Sequence, residues 1–234
     1  DEAISSIADD LAGFERLRAG DVVFHCSGAM NSDVLGEVRR RGAAVASIHP
    51  IRSFADPELA SKDFAGTYCA LEGDEKATSV VEALFKKLGA VVFVIPTASK
   101  MVCHAGHVFA SNYVVTVLAV AQKLYAAAGI PEELAQAFVA PLVRGSVDNF
   151  LKVGGVRALT GPISRGEAPL VSRQREQVSE VSPAIGELYT ALGSHALDLA
   201  VARGLCREDA VAVAEALGQH SPSGSVLITE SLQK

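Results

Sequence analysis

A chain of 234 residues, 49% of them hydrophobic, can bury a full core as one large domain or two small ones, which excludes a disordered polymer. The formal net charge of −6 at pH 7 argues against a nucleic-acid partner, and the one basic run, Arg39, Arg40 and Arg41, falls at the end of an expected helix, where positive charge complements the helix dipole. No apolar stretch of about 18 residues is read as free of charge and no signal peptide is read at the start, so no membrane partner is expected; the four cysteines form no CxxC pair, which makes a reducing, cytoplasmic setting the default.

In chain order, DEAISSIADDLAG reads as a helix capped by Asp1. Four short apolar runs bounded by Gly, Pro or polar residues follow as strands: 21–25, 43–48, 66–73 and 90–95. Amphipathic helices are expected at 31–41 and 75–88, between the first two and the last two strands. Strand, helix, strand in that order predicts a parallel sheet with right-handed crossovers.

Pro96 and Thr97 mark a change of period, after which apolar residues recur at helical spacing nearly to the end. The expectation is one long helix over 98–128, closed by Gly129, and a second opened by Pro131 and kinked or broken at Pro141. ALTGPISRGEAP (158–169) reads as an ordered loop, and Ser182-Pro183 as the start of a further helix. Two domains are expected, an α/β domain at 1–96 and an all-α domain at 97–234.

Open parallel sheets bind ligands outside the carboxyl ends of their strands. Two such ends carry polar chemistry, HCSGAM and HPIRSF, so His25, Ser27, Gly28, His49 and Pro50 are candidates for one binding rim. The plainer alternative is that Ser27 and Gly28 make a tight turn before a helix capped by Asn31 or Ser32, with His49 packed on its own loop. Neither GxGxxG nor GxxxxGK[ST] occurs, so no complete phosphate-binding fingerprint is present.

KMVCHAGHVFASN (100–112) places Lys100, His104, His107 and Ser111 in a helical stripe roughly 60° wide. A lysine and histidines on one face suit a reaction that must stabilise negative charge and deliver a proton. The alternative is a lysine that snorkels to solvent beside core histidines. A zinc site is not expected, because Cys103 points about 100° away from His104 and leaves only an HxxH pair. A hydrolase is not expected either, since GxSxG is absent. In TGPISRG, Thr160, Ser164 and Arg165 could hold an anionic substrate group, Arg165 in bidentate fashion, or Arg165 could cap a helix or cross a subunit interface. Asn149 is a candidate of the same kind.

HCSGAM, HPIRSFAD, LEGD, KMVCHAGHVFASNY, PLV and ALTGPISRG, in that order, resemble bacterial oxidoreductases that join a Rossmann-like NADP-binding domain to a helical domain similar to the C-terminal dimerisation domain of 6-phosphogluconate dehydrogenase. The resemblance implies a Rossmann-like partial parallel sheet followed by an all-α dimerisation domain, NADP as cofactor with NAD as the alternative, a small-molecule substrate between the domains, and a homodimer paired through the helical part. It also implies that the glycine-rich turn belongs upstream of residue 1. Related hydroxyacid and ketopantoate reductases carry a catalytic Lys with an Asn four residues on. Lys100 fits the Lys, His104 stands where the Asn would be, and Asn112 comes later. The reading is hydride transfer to or from a carbonyl or imine, with Lys100 and His104 catalytic, Asn112, Asn149, Thr160 and Arg165 binding substrate, and His25, Ser27, Gly28, His49 and Pro50 binding cofactor. A non-catalytic dimeric ligand- or nucleotide-binding regulator on the same fold is the alternative.

Overall fold

Alternation at period two builds a sheet that is covered on both sides. In the computed structural model, which describes residues 1–52 and 63–219, the strands β1 (Val22–His25), β2 (Ala44–Pro50), β3 (Tyr68–Gly73) and β4 (Val91–Val94) lie side by side in that order. Residues 53–56 of HPIRSFAD and the chain from 220 onward lie outside the described residues. Helices α1 (Glu2–Ala12), α2 (Gly36–Arg40, entered through a 3-10 turn at Ser32–Leu35) and α3 (Glu75–Lys87) complete this part. Ala46 and Ile48 of β2, with Cys69 and Leu71 of β3, pack on Ala77, Val81 and Phe85 of α3. Val45 on the opposite face packs with Ala8, Leu35 and Val38 from α1, the turn and α2. Each fully buried aliphatic side chain contributes roughly 1.5–3 kcal/mol, so two covered faces explain why the strands read as nearly continuous apolar runs.

The parallel order holds for β1 with β2 and for β3 with β4, the two pairs with a helix between them. The middle pair differs from the expectation, because β2 and β3 run antiparallel, with Pro50 opposite Cys69 and Ser47 opposite Glu72. The physical reason is where the chain returns: Ile51 N–H donates to the Tyr68 carbonyl, so β3 starts beside the end of β2 rather than after a crossover to its beginning.

The cap at Asp1 is positional only, with no side-chain hydrogen bond, whereas Asn31 accepts from the Asp33 N–H as expected of a cap. The expected single helix over 98–128 is two, α4 (Lys100–Ala110) and α5 (Asn112–Ala127). Ser111 Oγ donates to the His107 carbonyl at 2.7 Å, a back-bond that bends helices, and Ser111 itself leaves helical geometry. Pro141 neither ends nor divides α6 (Glu132–Val153); it is exposed, so water can take the carbonyl its missing N–H leaves unpaired. Between Lys100 and Lys123 no Asp, Glu, Lys or Arg interrupts the sequence, which corrects the reading that charge breaks every apolar run: by length and composition Thr97–Ala127 could cross a membrane.

The chain forms two compact units, Asp1–Thr116 and Val117–Lys234. After α6 the second unit contains α7 (Gly155–Ala158), a 3-10 turn at Ile163–Arg165, α8 (Ala168–Val181), α9 (Pro183–Arg203) and α10 (Arg207–Ala216). Its core joins Val171 of α8, Leu197 of α9, and Ala210, Val213 and Leu217 from α10 and its end. The architecture is therefore a partial Rossmann-like sheet followed by a helical part.

Gly73, at the end of β3, has φ +137, and a Cβ there would lie 2.6 Å from Ala46 Cα. Replacing Gly73 with Ala is expected to cost about 2 kcal/mol or more, measured as a lower urea midpoint; an unchanged midpoint would contradict the close approach.

Candidate functional site

The face of the sheet that is apolar under α1 and α2 turns polar toward the carboxyl ends of β1 and β2. Val23 and Val45 are followed two residues on by His25 and Ser47, and then by His49. His25 is the register partner of Ser47, and Ser47 of Glu72, so three polar side chains stand in one row across three strands.

The row is bonded throughout. His25 Nδ1 accepts from the Ser27 N–H at 3.2 Å while Nε2 lies 3.1 Å from the Asn31 carbonyl, which assigns the neutral ring with its proton on Nε2. Burial holds the His25 pKa below the ordinary histidine value. Ser27 Oγ accepts from the Met30 N–H, so the tight turn weighed as the plainer alternative is present. Glu72, 1% exposed, accepts from the Ser32 N–H and the Ser32 hydroxyl, both at 2.8 Å.

Lys100 does not snorkel. At the first turn of α4 it is 2% exposed, and its Nζ donates to Ser47 Oγ at 2.8 Å. Burial lowers its pKa from the ordinary lysine value, while the Glu72 charge acts in the opposite sense. A cavity of about 250 Å³ opens beside it, lined among others by Ala29, Met30, Asn31, Thr97 and Met101.

One and two turns along α4, His104 and His107 meet His49: the ring centroids are 5.7 Å apart for His49–His104 and 5.4 Å for His49–His107. Burial, then the nearby His107, Lys100 and His104, push the His49 pKa down to about 4. His107 is lowered as well, chiefly by burial; its Nδ1 is buried without a partner and its Nε2 lies 3.8 Å from Cys103 Sγ. Gly28 fits between the rings, since a Cβ there would lie 2.5 Å from His104 Cδ2 and 2.8 Å from His49 Nε2. Among the described residues, no group of three His, Cys, Asp or Glu is placed to hold a metal ion.

Of the expected site residues, the structure thus gathers His25, Ser27, Gly28, His49, Lys100 and His104, with Pro50 at the end of β2. Asn112 is in the same unit, exposed, with its Oδ1 bonded to Ser111 Oγ. Asn149, Thr160 and Arg165 belong to the second unit and are exposed, and the Arg165 guanidinium is already paired with both oxygens of Glu167 at 2.8 and 3.0 Å. Sequence reasoning missed Ser32, Ser47 and Glu72 as site residues. The available signal was the carboxylate inside the apolar strand GTYCALEG, where an unpaired charge is not tolerated.

A family model described as a domain of unknown function (DUF2520) matches residues 67–196, more than half of the chain. Protein TM1727 from Thermotoga maritima is similar at 29% identity and a TM-score of 0.67, over 86% of this chain and 76% of that one. A candidate NADP oxidoreductase, BF3122 from Bacteroides fragilis, shares the fold at 19% identity and a TM-score of 0.64, over 82% of this chain and 71% of that one. No curated protein matches the sequence.

A histidine whose native pKa lies below its unfolded value leaves the unfolded chain binding more protons, so stability is lost as pH falls from about 6.5 to about 4. His25 and His107, lowered too, act in the same sense. His49→Asn is expected to reduce the drop in thermal midpoint between pH 7 and pH 4; an equal drop in both proteins would contradict the assignment.

Proposed function

The chain belongs to the DUF2520 family, and we propose that it is a nicotinamide-dependent oxidoreductase acting on a small carbonyl or imine. The observation that carries the reading is Lys100: a buried ammonium, anchored at the carboxyl ends of a Rossmann-like sheet and bordering a cavity, is placed where a reaction develops negative charge. What suggests a nicotinamide is the fold, which the candidate NADP oxidoreductase of Bacteroides fragilis shares. NADP is the cofactor proposed, with NAD the second choice.

The residues fit part of such a cofactor. At about 250 Å³ the cavity beside Lys100 suits a single ring with its sugar rather than a whole dinucleotide. His25, Ser27, Gly28, His49 and Pro50, at the strand ends, are proposed to contact the cofactor outside that cavity; no residue here is assigned to the phosphates. Bound there, the cofactor supplies or accepts the hydride.

The chain's own residues do the rest. Lys100 Nζ, held by Ser47, polarises the substrate heteroatom and supplies its proton in the reductive direction. His104 stands on the same helix face and orients or protonates the same atom. His49, neutral near pH 7, keeps the site from accumulating positive charge. Asn112, Asn149, Thr160 and Arg165 are proposed to bind the remainder of the substrate, Arg165 by exchanging Glu167 for a substrate anion.

The protein is proposed to act as a homodimer in the cytoplasm, paired through its helical part. What supports pairing is α6, which leaves Leu134, Leu142, Val147, Phe150 and Leu151 exposed. Light scattering is expected to give twice the monomer mass; a monomer at micromolar concentration would remove this part of the proposal.

The chain contains no Trp, so calorimetry is preferred to protein fluorescence. Titration of NADPH into the full-length protein is expected to show saturable binding tighter than that of NADH. With a substrate in hand, Lys100→Ala is expected to lower turnover by about a hundredfold or more. If neither nucleotide binds, the reading fails in favour of a ligand-binding regulator, and if Lys100→Ala turns over normally, the catalytic assignment fails.

A further inference from the structure

Four polar residues that are almost fully buried, Lys100, Ser47, Glu72 and Ser32, occupy a space in which a lone charge would be severely destabilised. They are connected by backbone register as well as by hydrogen bonds. Ser47 and Glu72 are opposite partners on β2 and β3, so both side chains emerge on the face that Lys100 covers. Ser47 takes one ammonium proton of Lys100 at 2.8 Å. Glu72 has both oxygens occupied by donors from a single residue, Ser32, a pattern suited to a carboxylate that stays acceptor-only.

We propose that Glu72 is the buried counter-charge, and Ser47 the post, that hold Lys100 protonated and aimed into the cavity. Both are positioning residues, and their catalytic meaning rests on the role of Lys100 proposed above. Glu72 reaches the reaction only through Lys100, because its own oxygens are taken by Ser32. Ser32 in turn begins the 3-10 turn that leads from HCSGAM into α2. Two bonded pairs, Lys100 with Ser47 and Glu72 with Ser32, set side by side by the Ser47–Glu72 register, therefore connect the candidate cofactor rim to the candidate proton donor.

The groups facing Lys100 come from every element around it: Glu72 on β3, Cys26 in the turn after β1, His25 on β1, His49 on β2, and Cys103 and His107 on its own helix. Glu72 is the only carboxylate in that set. Burial disfavours the ammonium, and the Glu72 field favours it across a medium that screens poorly. Ser47 contributes a fixed dipole but no charge. The two residues thus make separable predictions: loss of Glu72 changes the charge state of Lys100, and loss of Ser47 changes its order.

The test is NMR of the full chain labelled at lysine Nζ with ¹⁵N, with the Lys100 signal assigned by its loss in Lys100→Arg. In Glu72→Gln the titration midpoint of Lys100 is expected to move to lower pH, and in Glu72→Asp it should stay close to that of the unaltered protein. In Ser47→Ala the midpoint should move less, while the Lys100 signal shows faster local motion. A midpoint unchanged by Glu72→Gln overturns the counter-charge, and unchanged Lys100 order in Ser47→Ala overturns the post. Should Glu72→Gln not fold, Glu72→Gln with Lys100→Met is expected to fold again, because the uncompensated charge is gone; a double variant as unfolded as the single one overturns the proposal. None of these readouts needs nucleotide or substrate, so failure of NADPH to bind would remove the oxidoreductase reading while leaving the Lys100 charge measurement intact.

Discussion

A lysine ammonium withdrawn from water is the constraint on which the first unit is organised. Lys100 is 2% exposed, and an uncompensated charge in that position would cost several kcal/mol. The surrounding chain meets the requirement with a serine on β2, a carboxylate on β3 and the serine that saturates it. Ser47 and Glu72 each interrupt a strand that is otherwise largely apolar, and removal of any one of the three would leave a buried polar group unmatched. Such an arrangement is poor at adding stability and well suited to holding one atom in one place.

The antiparallel middle pair is what makes that arrangement possible. Were β3 to follow β2 through a crossover, Glu72 would stand at the carboxyl end of a parallel strand with a different neighbour. Running antiparallel, β3 sets Glu72 opposite Ser47, three residues before the end of β2, where the face has turned from Val45 to polar side chains. The same reversal places Cys69 and Leu71 against Ile48 on the far face, so the apolar core under α3 and the polar row under Lys100 are consequences of one register.

Much of this was legible in the sequence, and the limits have physical causes. The four strands and the helix at 75–87 followed from short apolar runs and clear punctuation, because both faces of the sheet are covered. The stripe of Lys100, His104 and His107 was legible because helical periodicity is local, and the strand-end candidates His25, Ser27, Gly28 and His49 because open sheets gather ligands at their rims. Ser47 and Glu72 were not, since their meaning lies in a cross-strand register that no local pattern reports. The division of the long apolar helix at Ser111 was missed for a different reason: a serine hydroxyl that bonds back to His107 is locally indistinguishable from one that points to water. The pairing of Arg165 with Glu167 two residues on was not legible either, since an arginine in a loop reads the same from sequence whether or not a neighbour holds it.

The three histidines bear on which substrates the site would admit. His49 and His104 close on Gly28 with no room for a Cβ, His107 also meets the His49 ring, and the low pKa of His49 leaves that ring uncharged near neutrality. A neutral His49 offers a hydrogen bond without attracting an anion strongly, whereas Lys100 supplies one localised positive charge. A substrate that needs a single cation at a developing oxyanion or amide nitrogen fits that distribution better than one carrying several phosphates, which would call for converging positive charge. A single localised charge is thus what supports the proposal of a small carbonyl or imine group at Lys100.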